Sequence, residues 1–388
     1  MAMVLWHTAD GWLQPGERVG QSWVALRFVG GLAAPSFLFL AGTGIALAAR
    51  TDRAPRSLLA ELARGLEILL FGYALRYQGW LIDANAIGKL YLLRAWLPLG
   101  LGYGLLYLSL RSLDGPRRRA LGCALLGVLC CALGFVQIPE LAPGRLPRLL
   151  QVDVLQAIGA SLVLLTLGER ACALLQRPAL AAALGLATAC ATGAVYDMLP
   201  GPLPVPMAAY LGKFSAPVDA PVPALFPLFP WFSYALFGAA LGTLLRIRSA
   251  ALDRIVVFAA LAGALLALLT SESHRFVQLS IAQQAWLVHP LRVAYRIGLV
   301  LVLLWIGWLW AEAGRGRILV RYGRASLRIY WAHLLVAYGV CGSLWHKRLT
   351  MGKWAAGVSL LLAAMWLLGR IGADALGPRK RAVAPSRL

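Results

Sequence analysis

VGGLAAPSFLFLAGTGIALAA (29–49) carries no charged side chain from end to end. A helix needs about twenty apolar residues to cross a bilayer, so this run reads as a membrane span. The same reading applied outward places helices at 1–13, 29–49, 58–79, 92–110, 119–137, 152–168, 178–197, 227–245, 252–271, 294–312, 325–343 and 354–371. The expected fold is therefore all-α: a polytopic transmembrane bundle of about 11–12 spans. The first span is short or truncated, because its apolar run is interrupted by His7 and Asp10. The expected organisation is one integral-membrane domain, 1–371, followed by a basic cytoplasmic tail, 372–388.

Composition agrees. The chain is 60% hydrophobic and 14% charged, against about 25% charged residues in soluble domains. The net charge of +21 does not indicate nucleic acid. Its Lys and Arg residues sit in short clusters between apolar runs, and no nucleic-acid-binding module is visible. The clusters alternate along the chain. Arg50, Arg53 and Arg56, then Arg111 and Arg117–Arg119, Arg170 and Arg177, Arg246, Arg248 and Arg254, Arg315–Arg324, and the tail from Arg370 form the richer set. The positive-inside rule puts that set, and the C-terminus, in the cytoplasm. His7, Asp10 and Trp12 then lie at the outer end of the first helix. The proline-rich loop 198–226 lies outside as well, and is read as stiff and extended.

Cys123, Cys130, Cys131, Cys172, Cys190 and Cys341 fall in or beside apolar segments with no metal-type spacing. They read as inert buried thiols. The opening stretch does not read as a secretory signal peptide, since it has no charged n-region and no cleavage site. Walker A, H-E-x-x-H and G-x-S-x-G motifs are absent from the sequence, which gives ATP-driven transport and metal-dependent hydrolysis no support.

Ionisable residues inside spans point to function. His7 and Asp10 are three residues apart, so a helix puts them on one face. A carboxylate beside an imidazole fixes its tautomer and raises its basicity, as a general base requires; the plainer reading is an idle interfacial histidine. In SLRIYWAHLLVAYG (326–339), Tyr330 and His333 share the same spacing, with Arg328 nearby. That set reads as a cavity wall or as a polar network between helices. His333 is placed mid-span, roughly 12 Å from the interface, too deep for direct contact with His7 unless its helix is tilted or the cavity is deep. Arg64 and Glu67 read as a structural ion pair. Arg76, Asp153 and Arg296 lie near outer helix ends and either bind an anionic group or snorkel; Asp153 is also placed to cap a helix. In FPLFPWFSYALFGAALG (226–242), Gly238 and Gly242 permit close packing, and Trp231 and Tyr234 are candidate cavity residues.

MVLWHTADGW, APSFLFLAGTGIAL (34–47), VDVLQAIGASLVL (152–164), FPLFPWFSYALFGAALG and GRASLRIYWAHLLVAYG (323–339) occur in this order along most of the chain. The set resembles bacterial relatives of the heparan-alpha-glucosaminide N-acetyltransferase catalytic domain, a transmembrane acyltransferase family. The resemblance implies residence in a bacterial inner (cytoplasmic) membrane. It implies transfer of an acyl group, acetyl above all, from acyl-CoA to a hydroxyl or amine of an extracytoplasmic sugar or glycan, with no metal. It also implies that His7 matches the family's catalytic histidine. Asp10 would then orient His7, and Trp12, Arg76, Asp153, Trp231, Tyr234, Arg296, Arg328, Tyr330 and His333 would line the substrate and coenzyme cavity. Arg296 or Tyr330 would stabilise the thioester oxygen. Two features depart from the family: its Arg-Gly pair has no counterpart before His7, and the hydrophobic pair at 92–137 is additional. The rival reading is a transporter or a lipid or glycan flippase without covalent chemistry, against which no inverted repeat is evident.

Overall fold

The computed structural model describes residues 1–49, 57–83, 93–111, 117–136, 150–199, 203–212, 225–271, 289–339 and 344–374. Its long helices are α1 (Ala2–Trp12), α2 (Gly20–Ala48), α3 (Leu58–Asp83), α4 (Leu93–Arg111), α5 (Arg117–Val136), α6 (Val154–Cys172) and α7 (Pro178–Met198). There follow α8 (Val205–Leu211), α9 (Leu228–Ile247), α10 (Leu252–Ser271), α11 (Pro290–Glu312), α12 (Arg317–Arg324), α13 (Ser326–Tyr338) and α14 (Met351–Asp374). Among the described residues the only β feature is a bridge between Leu13 and Leu349. The protein is an all-α polytopic membrane bundle.

Each of the twelve expected spans contains a helix, but they are unequal. Among the described residues, seven are long and apolar enough to cross a bilayer: α2, α6, α7, α9, α10 with its preceding turn, α11 and α14. The others differ from these. α3 has 26 residues but carries Arg64, Glu67 and Arg76. In α4 and α5, helices of 19 and 20 residues, the apolar stretches described in full cover Leu97–Leu110 and Ala120–Gly134. α1 has 11 residues and α13 has 13.

The faces of α10 show what surrounds these helices. Val256, Ala260, Gly263, Ala267 and Thr270 are buried, whereas Phe258, Leu261, Leu265, Leu268 and Leu269 are exposed. Small residues face protein and large apolar residues face outward, which is stable only where the surroundings are hydrocarbon.

The chain forms two compact units, Met1–Ala33 with Ile306–Leu388, and Ala34–Trp305. In the second unit, helices approach through small residues. A Cβ on Gly42 would collide with the Ala235 carbonyl, and one on Gly238 with the Phe39 carbonyl. One on Gly242 would meet the Thr43 backbone. Thr43 Oγ1 donates to Gly238 O at 3.1 Å. The Gly238/Gly242 pattern thus holds α9 against α2. Gly65 and Gly159 make the same kind of approach between α3 and α6, as do Gly263 and Gly298 between α10 and α11. Arg64 pairs with Glu67 at 2.9 Å, as its spacing suggests.

Asp153 starts α6. Its carboxylate accepts from Val154 N at 2.7 Å, and Gln156 Oε1 accepts from Asp153 N at 3.3 Å, forming a capping box. Replacing Asp153 with Ala frees the Val154 and Gln156 amide donors and is expected to cost about 1 kcal/mol. Reversible unfolding in detergent micelles checks this; an unchanged midpoint contradicts the capping role.

Three expectations change. The proline-rich segment is not wholly extended, because Val205–Leu211 is helical with proline in its first turn, where a missing N–H is tolerated. The described cysteines are free, as expected, but none is fully buried: Cys123, Cys130 and Cys131 are intermediate, and Cys172 and Cys190 are exposed. Cys341 lies outside the described residues. Finally, α13 stops at Tyr338 rather than at residue 343, with consequences for the site.

Candidate active site

The first unit is built on α1. Val4, Thr8, Ala9 and Trp12 are buried and recur at helical spacing. Val4, Ala9 and Trp12 pack with Ala325 and Ile329 around α13, and with Trp354, Val358, Leu361 and Met365 of α14. The indole of Trp354 donates to Thr8 Oγ1 at 3.1 Å, and that of Trp12 donates to Ala337 O at 2.8 Å. Gly11 allows the approach, since a Cβ there would sit 3.1 Å from Ala337 O. The chain after α13 returns to the end of α1, with Lys347 N donating to Gly11 O at 3.0 Å and Leu349 N to Trp12 O at 2.9 Å. Arg18 closes the same end by donating to the carbonyls of Asp10 and Leu13. A cation at a helix C-terminus satisfies orphan carbonyls and complements the dipole.

With α1 fixed in this way, His7 meets α13. Its ring lies 5.5 Å from that of His333 and 5.5 Å from that of Tyr338. Tyr330 packs edge-on against His333, also at 5.5 Å. His7 Nδ1 is 3.0 Å from Tyr338 Oη, and Tyr338 Oη donates to Asp10 Oδ2 at 3.0 Å.

These bonds assign the tautomers. A phenol has one proton and an ionised carboxylate only accepts. Tyr338 gives its proton to Asp10, so His7 Nδ1 carries the hydrogen that bonds to the phenol oxygen. The lone pair of His7 therefore resides on Nε2. His333 Nδ1 faces Ile329 O at 2.8 Å and must donate to it, which again leaves the lone pair on Nε2. His333 is 1% exposed, and its Nε2 is buried without a hydrogen-bond partner. Two imidazoles thus present unprotonated nitrogens within one small cluster. Asp10 remains partly exposed and near Arg18, at 3.7 Å.

The separation of His333 from His7 expected from sequence is therefore corrected. α13 ends five residues after His333, and α1 is so short that His7 stands near its middle rather than at its end. Asp10 reaches His7 through Tyr338, which sequence reasoning did not single out although the residue closes the SLRIYWAHLLVAY helix.

The other predicted residues divide. Tyr330 is buried beside His333. Trp12 is a core residue with its N–H already bonded, not a cavity wall. Arg328 is exposed; two residues along a helix amount to about 200°, so it lies on the face opposite Tyr330. In the second unit, Asp153 is engaged as a helix cap, and Arg76 donates to Gln151 Oε1. Trp231, Tyr234 and Arg296 do come together there. The Arg296 guanidinium lies 5.6 Å from the Trp231 ring centroid, the two aromatic rings are 5.7 Å apart, and Tyr234 interacts with Arg296. Among the described residues no cluster of His, Cys, Asp and Glu is suited to a metal ion.

The chain matches no known family, no curated protein and no solved structure.

Proposed function

We propose that this chain is an integral-membrane acyltransferase that moves an acyl group, acetyl foremost, from acyl-CoA to a hydroxyl or amine on a sugar or glycan. The observation that carries the reading is the His7–His333 pair, with His7 tied through Tyr338 to Asp10. Such a cluster is costly among apolar helices, which makes it a candidate for function. The basic nitrogen of His7 is matched to a proton-transfer role.

In this mechanism His7 Nε2 takes the proton from the acceptor O–H or N–H as the acceptor attacks the thioester carbonyl. The new C–O or C–N bond forms, the C–S bond breaks, and the departing thiolate is protonated from the imidazolium. The products are the acylated acceptor and free coenzyme thiol. Tyr338 and Asp10 hold the His7 tautomer and stabilise the transient imidazolium, as a carboxylate behind a histidine base does. His333 packs against the His7 ring and supports it.

The test is release of free thiol from acetyl-CoA by the purified protein in nanodiscs, with a panel of amino sugars and glycans as acceptors. Acceptor-dependent release supports the proposal. Release with no acceptor dependence, or none at all, opposes it.

The loop charges support an orientation with the C-terminus in the cytoplasm. In a cysteine-free background, a cysteine placed at Arg118 is expected to resist impermeant thiol reagents in intact cells, and one placed at Ala208 to react. Reversed labelling overturns the orientation.

A further inference from the structure

Among the described residues of the second unit, two arginines have no counter-charge. Arg292 and Arg296 are one turn apart on α11, in its first two turns. Arg296 is 8% exposed. The Arg292 guanidinium lies 5.6 Å from the Tyr295 ring centroid, and the two arginines lie within each other's electrostatic influence. Among the described residues neither forms an ion pair with a carboxylate.

This arrangement is unfavourable in three ways. Like charges at i,i+4 repel. A cation near a helix N-terminus opposes the dipole. A guanidinium removed from water needs a partner. The surrounding groups compensate only in part, through the Tyr234 phenol and the Trp231 ring beside Arg296. Arg292 Nε and the Trp231 indole N–H are both buried without hydrogen-bond partners, and Trp231 is itself only 8% exposed. Tyr234, 1% exposed, adds a phenol. The cluster is rich in donors, and nothing in it carries negative charge.

We infer that Arg292, Arg296, Trp231 and Tyr234 form a binding site for a phosphate group. A carboxylate satisfies one guanidinium with its two oxygens and leaves the second charge unmatched. A tetrahedral phosphate offers three or more oxygens, so it bridges two guanidiniums at helical spacing and still accepts from the indole and the phenol. The inference does not depend on the acyl-transfer reading. The phosphate comes either from an anionic lipid headgroup or from a soluble phosphate compound such as a coenzyme.

The experiment uses the full-length protein and two arms. In phosphatidylcholine nanodiscs, binding of pyrophosphate and of coenzyme A is measured by calorimetry, with succinate as a dicarboxylate control. In the second arm, phosphatidylglycerol retained by the protein is counted by native mass spectrometry. Wild-type protein is expected to bind the probe of at least one arm. Arg296→Gln and Arg292→Gln are each expected to weaken that binding about tenfold or more, the scale of one charge-assisted hydrogen bond. Should Arg296→Gln fail to fold, the half-buried Arg292 decides the matter alone. The arm that responds identifies the source. Failure of the wild type to bind in either arm overturns the site, as does equal binding by the glutamine variants. Succinate binding as tight as pyrophosphate overturns the assignment to phosphate.

Discussion

His7→Ala is expected to lower acyl transfer by about 10²–10⁴-fold, the usual contribution of a positioned general base. The fold should survive, because His7 is half-buried while α1 is held by Thr8, Trp12 and the Leu349 return. Graded losses are expected along the hydrogen-bond chain. Tyr338→Phe keeps the ring but removes the link to Asp10, so its loss should be smaller than that of His7→Ala. Asp10→Asn should be milder again, since it acts at one remove. His333→Gln keeps a donor and an acceptor and should preserve more activity than His333→Leu. Turnover of each purified variant, alongside its melting temperature, checks the series. Full activity in His7→Ala would remove the general-base assignment. Equal and complete loss in both His333 variants would promote His333 to an obligatory proton carrier.

Gly238→Val is expected to have the largest effect on stability. A Cβ at this position would collide with the Phe39 carbonyl, which is backbone and cannot rotate away. The α2–α9 contact must therefore open, and Thr43 Oγ1 loses its bond to Gly238 O. Overpacking of this kind costs about 1–3 kcal/mol or more. Gly242→Ala in the same contact should be less severe, because its nearest backbone neighbours are less close. Gly193→Ala, whose added Cβ meets nothing nearby, serves as the neutral control. Unfolding in mixed micelles checks the order Gly238 > Gly242 > Gly193; three equal midpoints would contradict the small-residue packing.

What could be read from the sequence was what each segment carries by itself. Every helix but α8 and α12 announced itself through its own apolar run, and Asp153 announced its cap through the residues immediately following it. Gly238 and Gly242 disclosed a packing face because their spacing is local. Pairings between distant segments were not legible. Nothing local to MAMVLWHTADGWL says that it lies against α13, more than three hundred residues away. The depth assigned to His333 failed because the end of α13 was placed at residue 343, when the helix stops at Tyr338. That same error hid Tyr338, whose place at the helix end brings it to both His7 and Asp10. Arg328 was grouped with Tyr330 by nearness in sequence, although helical geometry separates them. Trp12 looked like a cavity residue because an interfacial tryptophan and a core tryptophan are the same letter; only the bond to Ala337 O distinguishes them.

The most direct test of the central claim is a single-turnover experiment with acetyl-labelled acetyl-CoA, purified protein in nanodiscs and an excess of the best acceptor. The account predicts that label appears in the acceptor in equal amount to free thiol, and that His7→Ala protein, folded and at the same concentration, transfers it at least about 10²-fold more slowly. Label transfer at the same rate by both proteins, or none by the wild type, would contradict it.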